Sequence, residues 1–167
     1  SQEMLSKIYA DGFALEIIMT RSFNHIGPGQ KDLFVIASFA KQFVQLSKEN
    51  ITKNTITTGN LSIIRDFVDV RDVVKAYYLL LKKGKRGEVY NICSGNGIVL
   101  KDIVSSMAKI LNLDVETVVN PDLIRPTENK KVVGSYQKLK TELGWEPEIS
   151  IEKSLKDIIG YWQNEAK

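Results

Sequence analysis

Leu15-Glu16-Ile17-Ile18-Met19-Thr20-Arg21-Ser22-Phe23, followed by Asn24-His25-Ile26-Gly27-Pro28-Gly29-Gln30, is the stretch on which the reading of this chain turns. The first nine residues are largely apolar, the pattern of a parallel strand covered on both faces. Strand character ends at Phe23, where an amide, an imidazole and a Gly-Pro-Gly turn arrive together. In open α/β sheets, ligands bind outside the carboxyl ends of strands, so this polar cluster is a site candidate. The same residues also read as a solvated strand-to-helix loop.

Upstream, residues 2–11 have helical spacing, with Met4, Leu5, Ile8 and Tyr9 on one face and Gly12 placed to close the helix. The chain starts at Ser1, at the very beginning of this helix and with no capping residue before it, so a preceding amino-terminal part is expected to be missing. Downstream, residues 34–46 form an amphipathic helix whose Phe34, Phe39 and Phe43 could fill a core or stack on a base. Residues 51–59 alternate polar and apolar, as in an exposed edge strand. Asp69 caps a helix over 70–83, with Asp72 in its first turn and Val73-Val74, Ala76-Tyr77 and Leu79-Leu80-Leu81 directed inward. Strands are expected at 87–95 and 115–119, and helices at 100–111, 135–143 and 151–164. Strand and helix alternate through the first hundred or so residues, then helices dominate. That order predicts part of a parallel sheet with a mostly helical appendage.

The 167 residues suffice for one domain with a real core, and 43% hydrophobic and 26% charged content is ordinary for a globular protein. A net charge of +3 is too mild to argue for nucleic acid. The single cysteine, Cys93, rules out a disulfide framework and reads as a buried thiol. No apolar run approaches the ~20 residues of a membrane span, and no signal peptide is visible.

His25 is the only histidine, so a hydrolytic triad lacks its base and a histidine metal cluster lacks its ligands. Asp66, Asp69 and Asp72 recur every third residue, and helix-terminus roles explain the last two better than a metal does. Gly95-Asn96-Gly97 precedes a helix as a dinucleotide-binding turn would, but Leu100 stands where that turn needs its third glycine. What remains is a binding set without a catalyst. Asn24 offers an amide, Arg65 and Arg125 offer planar forks suited to phosphate, and Glu128 can accept hydroxyl hydrogens. Together they fit a diphosphate-linked sugar, and singly each also fits a surface or structural role.

Five segments in order carry a resemblance. They are Arg21 through Gln30; Gly59-Asn60-Leu61 with Arg65-Asp66-Phe67 and Asp69-Val70-Arg71-Asp72; Gly87 through Gly95; Arg125-Pro126-Thr127-Glu128; and Leu143-Gly144-Trp145 with Pro147. The chain resembles the carboxyl-terminal half of extended short-chain dehydrogenases/reductases acting on nucleotide sugars. Within them it is most similar to the GDP-6-deoxy-4-keto-mannose reductases, with the GDP-mannose 4,6-dehydratases as near relatives. The resemblance implies an α/β fold, the C-terminal part of a Rossmann-like parallel sheet plus a small, mostly helical substrate-binding domain. Residues 1–167 would be the substrate-binding half. The NADP-binding Rossmann part and the catalytic Tyr-x-x-x-Lys pair would lie before Ser1.

The resemblance also implies roles. Asn24 would hold the diphosphate of the GDP-sugar, and Arg65 its phosphate or guanosine part. Arg125 and Glu128 would clamp the nucleotide, the acid on ribose. The segment around Phe34 and Val35 would border the guanine pocket. His25 would pass the nicotinamide end of NADP. The expected whole is a cytoplasmic homodimer that passes hydride from NADPH to a C4 ketone, giving GDP-rhamnose, with this half inactive alone. The alternatives are a dehydratase or epimerase of nucleotide sugars, or, in another class, a non-catalytic nucleotide- or protein-binding module.

Overall fold

The computed structural model of the chain describes residues 1–48, 54–124 and 127–165. In order it forms α1 (Gln2–Gly12), β1 (Met19–Ser22), β2 (Asn24–Ile26), α2 (Val35–Lys48), β3 (Thr55–Thr58), β4 (Ile64–Asp69), α3 (Val70–Lys83), β5 (Val89–Ile92), β6 (Gly97–Val99), α4 (Leu100–Leu111), β7 (Glu116–Val119), β8 (Lys131–Val132), α5 (Gln137–Leu143) and α6 (Ile151–Glu165). The fold is α/β. The pairs β1–β5, β2–β4, β3–β7 and β4–β8 are parallel, and β4–β6 is antiparallel.

The run expected as one strand over 15–23 forms only β1, and a second strand, β2, follows it where the polar loop was expected. Leu15 and Glu16 are exposed, and β1 begins only at Met19. Phe23 N still donates to Ile92 O at 2.9 Å, but the next residues change partner. Asn24, His25 and Ile26 pair with Phe67, Val68 and Asp69 of β4. The polar cluster is therefore itself a strand. Its partner β4 carries Arg65, Asp66 and Asp69 among apolar residues, which masks the alternation by which a strand is read.

Other expectations shift in detail. Among the described residues β1 is paired on one side only, by β5, and Thr20 and Arg21 are exposed. Gly12 lies inside α1, which ends as Phe13 N donates to Tyr9 O. On α3, Val74, Tyr77 and Leu81 are exposed, because the inward stripe follows Val73, Ala76 and Leu80. The strand expected over 51–59 is the shorter β3, and residues 51–53 lie outside the described residues. Ile56 and Thr58 are buried, and the Gln42 amide closes on the Thr57 backbone by accepting from its N–H at 2.8 Å and donating to its C=O at 3.2 Å.

Two cores result. One packs α2, α4 and α6 through Phe39, Phe43, Met107, Leu155 and Ile158; the other packs α3, β5 and α5 through Leu80, Tyr90, Leu139 and Trp145. Each such side chain contributes about 1.5–3 kcal/mol by leaving water.

Asp66, Asp69 and Asp72, all buried, stitch distant segments together. Asp66 accepts from Ser94 N and Oγ at 2.7 Å, Gly95 N at 3.0 Å and Gly134 N at 3.1 Å. Asp69 caps α3 by accepting from Arg71 N at 2.9 Å, and takes the Ser154 hydroxyl of α6 at 2.6 Å. Asp72 accepts from Glu148 N and Ile149 N. Among the described residues no group of acids, histidines and cysteines could hold a metal ion. Burial, helped by the nearby Asp66 charge, pushes the Cys93 thiol up to about 11, so it is an inert core group.

Candidate functional site

A cavity of about 760 Å³ lies where β1 and β2 end. Asn24, His25, residues 27–31, Phe34, Val35 and Phe67 line it. Its floor is set by close packing: a Cβ on Gly27 would stand 2.5 Å from Val70 Cγ1, so only glycine lets β2 pass the start of α3. A turn follows, closed by Gln30 N to Gly27 O at 3.3 Å, with Gly29 at φ +82°. The Gln30 side chain fastens it by donating from Nε2 to His25 O at 2.9 Å. Phe34 N then donates to Lys31 O, and α2 begins.

The first turn of α2 opens onto this space through Phe34, Val35 and Ile36 and carries no acid. A helix start leaves its first amides without intrahelical partners and carries the positive end of the helix dipole, and this helix start borders the cavity. Phe34 is exposed at the wall, whereas Phe39 and Phe43 are core. Asn24 donates one amide hydrogen to Asp66 O at 3.2 Å, which fixes the side chain and leaves its oxygen and second hydrogen available. His25 is exposed on the wall, with Nδ1 3.3 Å from Phe23 O.

Arg65 and Glu128 meet each other outside the cavity lining. Arg65 Nη1 donates to Ile64 O and Asn129 O, and Nη2 to Glu128 Oε1 at 3.2 Å. Both side chains are largely buried. Three of the five guanidinium hydrogens are thereby committed to the protein, which holds the segment around 128 against β4. Asn24, His25, Phe34 and Val35 thus share one cavity, and Arg65 and Glu128 form one pair. Arg125 lies outside the described residues.

The Gly95-Asn96-Gly97 turn has no cofactor geometry. The Ser94 and Gly95 amides, which would have to face a phosphate, are spent on Asp66, and β6 follows before any helix. Sequence reasoning gave no role to Lys31, because a lone polar residue in a loop carries no pattern, and could not pair Ser22 with Tyr77, whose hydroxyls meet at 2.7 Å across 55 residues.

The protein-family model described as GDP-mannose 4,6 dehydratase matches residues 1–158. The chain belongs to this family. GDP-6-deoxy-D-mannose reductase of Pseudomonas aeruginosa is 38% identical over 171 residues, covering 98% of this chain and 56% of that protein. The structure of RMD from Pseudomonas aeruginosa complexed with NADPH superposes with a TM-score of 0.88 at 37% identity, over 97% of this chain and 53% of that one. A UDP-glucose 4-epimerase of Thermotoga maritima solved with UDP-glucose gives 0.86 at 30% identity, over 99% of this chain and 52% of that one. The α/β architecture expected from the sequence, part of a Rossmann-like sheet with a small helical domain, agrees with these neighbours. The chain spans about half the length of the curated relatives it matches. Among the described residues no helix is long and apolar enough to cross a membrane.

Proposed function

We propose that the chain is the nucleotide-sugar-binding half of a reductase that converts the C4 ketone of GDP-4-keto-6-deoxymannose to the alcohol of GDP-rhamnose. The observation that carries this reading is the cavity at the strand ends, faced by the N-terminus of α2 and by the half-committed amide of Asn24. The diphosphate sits there, with Phe34 and Val35 bordering the base. From outside the cavity lining, Arg65 with its two uncommitted donors serves the guanosine part and Glu128 with its second oxygen the ribose, and Arg125 is assigned to the diphosphate. NADP supplies the hydride when bound. His25, set in a wall of Phe23, Ile26 and Pro28, is this chain's contact with the uncharged end of that cofactor. The Gly95-Asn96-Gly97 turn does not fit its phosphates, and we assign them, with the catalytic Tyr-x-x-x-Lys pair, to an amino-terminal half.

Two surfaces support a larger assembly. The edge of β1 that has no partner among the described residues accepts the strand of the amino-terminal half, and the exposed Met4, Leu5 and Ile8 of α1 face a second copy in a cytoplasmic homodimer. Calorimetry of the full-length protein with GDP, UDP and dTDP tests the reading: preference for GDP is expected, and equal binding of all three contradicts it. A product assay separates reductase from dehydratase or epimerase. Tight GDP binding by the 167 residues alone would favour a non-catalytic binding module instead.

A further inference from the structure

We propose that Lys31 supplies the charge that holds the phosphate groups of the ligand in this cavity. Among the lining residues Lys31 is the one lysine, arginine or acid; the others are apolar residues, glycines, Ser22, Asn24, Gln30 and His25. No described residue pairs with its ammonium. The nearest acid in sequence, Asp32, is taken by Lys41 at 2.6 Å. Arg65, the cation expected there, is absent from the lining and gives hydrogen bonds to two carbonyls and to Glu128. Its charge is therefore balanced within the protein, while Lys31 has no partner among the described residues.

Position supports the same role. The Lys31 carbonyl accepts from Phe34 N in the turn that leads into α2, so the lysine stands one turn from the helix N-terminus. Lys31 and the first residues of α2 thus border the same space. An ammonium on a long flexible stem is a point charge that can follow either phosphate of a diphosphate, whereas a guanidinium fork favours one orientation. With Asn24 of β2 lining the same cavity, the diphosphate is held by an amide, a helix end and one mobile cation. The inference rests on the nucleotide-diphosphate reading of the cavity and adds to it a residue that neither sequence pattern nor resemblance singled out.

The test uses the full-length protein containing this chain, with Lys31→Met and Lys31→Arg variants titrated with GDP, inorganic pyrophosphate and guanosine. Lys31→Met is expected to weaken GDP and pyrophosphate about tenfold, leave guanosine unchanged and flatten the salt dependence of GDP binding. Lys31→Arg is expected to stay within about threefold of wild type for GDP, since the charge is kept. Unchanged GDP and pyrophosphate binding in Lys31→Met overturns the proposal, as does an equal loss for guanosine. Wild-type protein that binds pyrophosphate as tightly as GDP, with both dependent on Lys31, sustains the lysine's role while overturning the nucleotide reading. No binding of any of the three overturns both.

Discussion

The Asp66–Asp69–Asp72 row and the wall of Asn24, His25 and Lys31 lie side by side on paired strands and their flanks, yet they are opposite in kind. The aspartates are buried, and their oxygens are filled by backbone amides, two serine hydroxyls, an arginine and a lysine. The wall residues are exposed, and each keeps hydrogen-bonding capacity in reserve. Polar groups satisfied inside the protein are framework; polar groups left open at a cavity are available to a ligand. Arg65 and Glu128 stand between the two, partly committed and partly free.

Breaking the framework side gives the largest effect. Asp66→Ala leaves the Ser94, Gly95 and Gly134 amides without their buried acceptor, and is expected to cost about 3–5 kcal/mol in a denaturant melt. A loss below about 1 kcal/mol would show that these amides find other partners. Asp69 comes next. Burial raises its carboxyl, but hydrogen bonds from Arg71 and Ser154 outweigh this and hold it below the usual range. A group depressed in the folded state stabilises fully above its unfolded pKa and loses that contribution as pH falls through its folded value. Thermal stability is therefore expected to decline below about pH 4, and Asp69→Asn to flatten that part of the decline while lowering stability at pH 7 by about 1–3 kcal/mol.

Much of the framework was legible because its signals are local. Asp69 before an apolar run announces α3, Gly144 ends α5 at φ +74°, and Ser150 starts α6, where its hydroxyl accepts from Lys153 N. What was not legible depends on partners far along the chain. Phe23 marks a change of strand partner, and nothing in the sequence shows which strand is next. Arg65 and Glu128 meet across 63 residues, so their convergence follows from how β4 and β8 pair. The α3 stripe of Val74, Tyr77 and Leu81 is as apolar as the buried one, and composition alone could not tell them apart. Lys31 had no motif around it, and only the shape of the cavity gives it meaning.

The intermediate pair sharpens the contrast with a smaller effect. Glu128→Ala removes an ion-pair partner of Arg65 and the expected ribose acceptor. Binding of GDP by the full-length protein is expected to weaken about tenfold, or ~1.4 kcal/mol, and stability to fall by about 1–2 kcal/mol because a largely buried guanidinium loses one of its partners. A large drop in melting temperature with unaltered affinity would move the pair to the framework side.

The most direct measurement is calorimetric titration of GDP-mannose into full-length protein, wild type against Asn24→Ala, with a thermal melt of each. Asn24 makes one described hydrogen bond, at 3.2 Å, so its removal is expected to cost about 1 kcal/mol of stability or less. If the wall is the ligand site, affinity falls about tenfold while the melting temperature hardly moves. Affinity equal to wild type, or a loss that merely follows unfolding, would contradict the assignment of this cavity to the nucleotide sugar.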